Sequence, residues 1–169
     1  MRLSDLGQSA QELLEAMAAA MVENNPNFPL PGNQYVGAGE IPWDGPGLYV
    51  YVAGGLTGQP GRPITTNVAS ASGITFSVAF YVMLIRSVST YGYFASGELD
   101  IPSDADLGAE GQQAVMDAGA LLAAAAVVKA NKSVVTNSQG FVIGQVAPVG
   151  PQGGLAAMRL DLNLIIEQA

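Results

Sequence analysis

A chain of 169 residues is long enough for one domain with a real core and short for two. Fourteen acidic against six basic residues give a net charge of −8, and the cations are scattered apart from Lys129 and Lys132, so a surface that grips a phosphate backbone is not expected. There is neither cysteine nor histidine, which excludes disulfides, thiol nucleophiles, thiolate or imidazole metal sites and every histidine-based catalytic triad.

Ser4 to Glu23 reads as the first helix. Leu6, Ala10, Leu13, Leu14, Met17 and Met21 recur at three- and four-residue spacing and leave Gln8, Gln11, Glu12, Glu15 and Glu23 to the other side. Asp5, Glu12 and Glu15 stand where a secretory signal would have an unbroken apolar core, so no export signal is expected. The next 24 residues, Asn24 to Gly47, hold five prolines and five glycines and read as an ordered, irregular crossing. Within it Trp43, the single tryptophan, reads as a plug over the domain's own core, with a subunit-contact anchor as the alternative.

Leu48 to Ala53 alternates as a strand, and Ile74 to Val88 as a much longer one that is expected to bend or project. One face of the longer strand is apolar throughout. The other changes from polar to apolar, which predicts water at one end and cover on both sides at the other. Its closest approach to a membrane span, Phe76 to Ile85, is broken by Ser77 and closed by Arg86, so a soluble protein without membrane contact is expected. Between the two strands, about 54–73 is a long loop that reads as an arm ordered on a partner, with Arg62 as its cation.

Ser89 to Leu107 is a second irregular stretch. Asp104-Ala-Asp106-Leu-Gly108 resembles part of a calcium loop, but the later oxygen ligands and the glutamate at its twelfth position are missing. The acidic residues there read instead as capping and dipole complements to the helix that follows. That helix is expected over Ala109 to Ala130, with Val115, Ala118, Leu122, Ala125 and Ala126 as its core stripe. The opposite side runs from Gln113 and Asp117 to Ala120, Ala124 and Val127. Its alanines reflect either plain helix propensity or close approach by a neighbouring chain.

The chain closes with a β-prone run, Phe141 to Val146, a turn rich in proline and glycine from Pro148 to Gly154, and a strand in which Met158, Leu160, Leu162, Leu164 and Ile166 share one face. The expected fold is one α+β domain spanning the whole chain, a mainly antiparallel sheet of about four strands against two helices in the order α-β-β-α-β-β. Glycine pairs such as Gly54-Gly55 lack the lysine and serine or threonine of a phosphate loop, so no cofactor is expected. The carboxylate pairs have nothing to oppose them across a scissile bond, so no catalytic residue is assigned.

A strand ending in arginine (FYVMLIRSV), an acidic segment with proline (LDIPSDAD), an alanine-rich helix (AVMDAGALLAAAAVVKA), a strand, and the turn GPQGG opening the last strand follow one another over Ser77 to Ala169. That succession resembles the tail terminator proteins of long-tailed (siphovirus-type) bacteriophages, particularly those infecting actinobacteria. Relatives often carry one cysteine after the arginine and another after the GG turn, where this chain has Ser87 and Leu155. The resemblance implies a homohexameric ring in the virion neck, capping the head-proximal end of the tail tube and joining it to the head connector or head-closure protein, with DNA only passing through the lumen. It implies no catalysis. On this reading Trp43, Arg62, Ala120, Ala124 and Val127 are candidate subunit-interface residues. Another neck or tail component, such as a head-closure protein or tube subunit, and a small binding or enzymatic domain are the alternatives.

Overall fold

In the computed structural model, which describes residues 3–38, 43–57, 69–70, 73–90, 92–93, 96–131, 135 and 138–168, the first helix, α1, spans Leu3–Asn24. Its apolar stripe is buried as the spacing predicts: Leu13, Leu14, Met17 and Met21 are at most 1% exposed. The outer side is laced by Gln8 donating to Glu12 and Gln11 to Glu15, both at 2.8 Å.

Six strands form one sheet. β1 (Gln34–Ala38), β2 (Gly47–Thr57), β3 (Ala69–Ser70) and β4 (Gly73–Ser87) come before the second helix, and β7 (Ser138–Gln152) and β8 (Leu155–Gln168) after it, while β5 (Gly92–Tyr93) and β6 (Leu99–Asp100) make a separate two-stranded ribbon. The order across the large sheet is β1-β2-β4-β8-β7, with β3 paired to the start of β4. β1 runs parallel to β2 and the other pairs are antiparallel. The α+β class stands and the sheet is mainly antiparallel, but the expected count of about four strands is corrected to six, with one parallel pair, β1–β2, at the edge. β1 lies inside the proline- and glycine-rich crossing, and a five-residue parallel edge strand leaves no hairpin signal in the sequence.

β4 is a central strand over most of its length. It pairs with β8 from Ile74↔Gln168 to Ser87↔Leu155, and β2 follows it to Thr57↔Ser77 through a register shift between Val52 and Leu56. The length that suggested projection is therefore carried by β8 along nearly all of it and by the shorter β2 over its middle. β7 also runs into the expected turn as far as Gln152 and takes in Pro148 and Pro151. It has β8 on one side only, and proline's missing N–H is tolerated on an edge. The turn itself is Gly153-Gly154, both at positive φ (58° and 78°), the conformation a two-residue hairpin between twisted strands requires.

Val78, Phe80, Val82 and Leu84 of β4 and Leu160, Leu162 and Leu164 of β8 point to the helix side and are at most 2% exposed. The opposite sheet face has its own smaller cluster, Tyr49, Tyr51, Met83, Ile85 and Ala157. Met83 and Ile85 there are fully buried, as the apolar end of that face predicts.

The second helix, α2, spans Asp104–Ala130. It starts five residues before the sequence reading. Ser103 accepts from the Asp106 N–H at 3.2 Å and its own N–H donates back to Asp106 at 3.3 Å, a reciprocal cap that brings Asp104 and Asp106 into the first turn. The acidic run is thus a helix start rather than a calcium loop. By length and composition α2 is apolar enough to cross a membrane; here it packs beside α1 on the sheet.

Candidate functional site

Arg86 is the last even-numbered residue of β4, so alternation sends a guanidinium toward the helix side of the sheet. It meets Asp117 at the middle of α2 in a two-pronged pair, Nε to Oδ2 at 2.9 Å and Nη2 to Oδ1 at 2.7 Å. Gln113, one turn earlier, donates to the same carboxylate at 2.8 Å. Arg86 Nη1 donates to the Pro29 carbonyl, and the guanidinium lies 5.4 Å from the centre of the Phe28 ring. One side chain thereby ties the end of β4 to α2 and to the segment leaving α1. The Asp117 side chain is 3% exposed and that of Arg86 19%, so the pair is desolvated and geometrically exact in the bidentate sense that favours arginine.

The pair forms one wall of a cavity of about 290 Å³ between the first half of α2, the end of β4 and the β7–β8 hairpin. Leu84, Ala114, Pro148, Val149, Ala157 and Met158 supply much of its apolar lining. Glu110 at the rim accepts from the Ser89 N–H at 2.5 Å, fixing the chain as it leaves β4. The site holds charge in place rather than presenting it. Asp117 has both oxygens engaged. Among the described residues no group of three or more acidic, histidine or cysteine side chains could hold a metal.

On the other sheet face Tyr35, Tyr49 and Tyr51 stack in succession, with ring centres 5.0 Å and 6.1 Å apart. Tyr49 donates to the Gly45 carbonyl at 3.0 Å. The Tyr51 hydroxyl is buried without a hydrogen-bond partner among the described residues, and burial, then Tyr49 and Asp44, push its pKa up to about 12. Arg159 stacks over Tyr81 at 4.5 Å and pairs with Asp161, Nη2 donating to Oδ2 at 3.5 Å with Nε 2.9 Å from Oδ1.

The candidate interface residues do not gather at one place. Trp43 is half-buried against the tyrosine face of the sheet, close to Gly150 in the β7–β8 hairpin. Ala120 is half-buried against the core and Val127 is 39% exposed. Ala124 is fully buried inside the chain's own core, so it is corrected: it offers a neighbour no surface. Arg62, and with it 58–68 and 71–72 of the expected arm, lies outside the described residues. Of the expected core stripe of α2, Ala125 is buried and Ala118 packs against the core, but Val115, Leu122 and Ala126 are corrected to the exposed side. Asp117, Leu121, Ala124, Ala125 and Val128 are buried, whereas Val115 is 74% and Leu122 44% exposed. The helix is turned so that its only central charge faces inward, because Arg86, 31 residues earlier, waits there. Sequence reasoning missed Arg86 and Asp117 as a pair; the signal available was a cation on the core side of an alternating strand, which requires a buried anion.

No protein-family model matches the chain, and no curated protein does. A chain from the virion of a native gene transfer agent particle is similar at 12% identity and a TM-score of 0.44, over 96% of this chain and 98% of that one. At that TM-score the likeness carries no argument for function.

Proposed function

We propose that the protein is a structural component of a phage virion, a tail terminator whose subunits form a ring at the head-proximal end of the tail tube, stop tube growth and join the tail to the head connector. The observation that carries this reading is where the segments that resemble tail terminators meet. The arginine ending FYVMLIR pairs with the aspartate of the alanine-rich helix, and the GPQGG turn closes the hairpin that walls the same cavity. The two positions where relatives carry cysteine, Ser87 and Leu155, are register partners across β4 and β8. Val88 N–H bonds to the Gly154 carbonyl next to them, so Ser87 and Leu155 form a non-hydrogen-bonded pair, whose Cα separation of about 4.5 Å suits a disulfide. Motifs that are separate in sequence thus converge into one structural unit. The net charge of −8 suits a ring through which DNA passes without adhering. No catalytic role is part of this reading.

Electron microscopy of the purified protein, alone and mixed with tail tubes, tests it. Rings, or caps at one tube end only, are the expected result. Uniform polymerised tubes point to a tube subunit instead, and a monomer indifferent to tubes contradicts the virion reading.

A further inference from the structure

α2 turns Val115, Met116, Leu122 and Val127 outward at 74, 47, 44 and 39% exposure. From Gly111 to Val128 its one ionisable side chain, Asp117, points inward, so the outer side is uncharged on a strongly acidic chain. Apolar side chains held in water over several turns favour removal of that area by about 25 cal/mol per Å².

We infer that this face docks on the α2 helix of a second copy, antiparallel to it. Charge selects the partner and its direction. The first turn of α2 carries Asp104 and Asp106 and the last turn Lys129. An antiparallel pair sets acid beside lysine at both ends and opposes the helix dipoles, whereas a parallel pair sets acid against acid. Size agrees with charge. Matching the ends brings Val115 opposite Gly119, which has no neighbour within 4 Å of where a Cβ would stand, and Leu122 opposite Gln112, beside Gly111. A recess of about 240 Å³ between Met116, Gly119 and Ala123 and the end of α1 adjoins this face, with room for Met116 of the second copy.

The uncharged stretch is about 27 Å long and about 10 Å wide. It removes a few hundred Å² per copy, less than the roughly 800 Å² per partner of a standard interface, so the pairing is reversible and depends on concentration. The contact is two-fold and therefore distinct from the head-to-tail contacts that close a ring. It does not rest on the proposed virion role.

The absence of native cysteine makes the test clean. Under mild oxidation of the full chain, Gly119→Cys, which sits near the two-fold axis, is expected to give a covalent dimer. Ala130→Cys is expected to stay monomeric, because its mate lies about 40 Å away at the opposite end. In sedimentation equilibrium the unmodified chain should dimerise as concentration rises, and Val115→Glu with Leu122→Glu should weaken this roughly tenfold or more with an unchanged unfolding midpoint. Cross-linking of both single-cysteine variants, which means a parallel pair, overturns the inference. So does a chain that stays monomeric at every concentration, uptake onto neutral phospholipid vesicles in place of dimerisation, or rings that form while Gly119→Cys remains uncross-linked. That last outcome leaves the ring reading standing.

Discussion

α1 and α2 lie side by side on one face of the same sheet, and they hide their apolar surface in opposite ways. α1 buries its large side chains and turns glutamine and glutamate to water. α2 buries an aspartate and two alanines beside Leu121 and Val128, and leaves valine, methionine and leucine outside. Amphipathic periodicity decides orientation only where no specific long-range partner competes. Arg86 is such a partner for α2. A buried guanidinium without its carboxylate costs more than the exposure of a few apolar side chains, so the ion pair sets the rotation of the helix.

The largest test removes the floor that both helices share. Leu162→Asp places an unpaired carboxylate beneath them, where Leu162 is 2% exposed, and should cost about 4 kcal/mol or more in urea melts. The neighbouring Asn163→Asp, on the half-buried side, should be nearly silent; equal loss in both would break the assignment of the sheet's faces.

Asp117→Ala isolates α2 and is expected to cost about 3 to 5 kcal/mol, because it strands Arg86. Replacing Arg86 and Asp117 together with methionine and leucine should recover much of that loss. Additive losses would mean that the pair does not hold the helix. Ser103→Ala acts only at the start of α2 and should cost about 1 kcal/mol by the same melts.

The smallest effect lies on the far face of the sheet, away from both helices. Tyr51 titrates near 10.0 when unfolded and at about 12 when folded. Its folded pKa is the higher one, so stability is level below pH 10 and falls as pH rises toward 12. Tyr51→Phe should lessen that fall, leaving the share of Tyr49, whose pKa burial also raises, and, by deleting an unpartnered hydroxyl, leave stability at neutral pH unchanged or raised by up to about 1 kcal/mol. A Phe variant with the same alkaline loss would assign the titration elsewhere.

What the sequence made legible follows the same division. The even-numbered face of β8, the stripe of α1 and the covered end of β4 were readable because nearby residues and simple periods determine them. Parallel β1, the edge extension of β7 and the rotation of α2 depend on partners distant in the chain. The charge of Asp117 even pointed the periodicity the wrong way. The candidate interface inherited that error at Ala124, while Val127 and the exposed Val115 and Leu122 belong to the face that a correct rotation reveals.

Thiol labelling along α2 measures that rotation most directly. Single cysteines at positions 115, 122, 124 and 125 of the dilute, cysteine-free chain can be challenged with a maleimide under native conditions. The ion-paired orientation predicts fast labelling of Val115→Cys and Leu122→Cys, and slow labelling of Ala124→Cys and Ala125→Cys that is limited by opening of the fold. Fast reaction at 124 with protection at 115 and 122 would contradict it and restore the orientation that simple periodicity suggests.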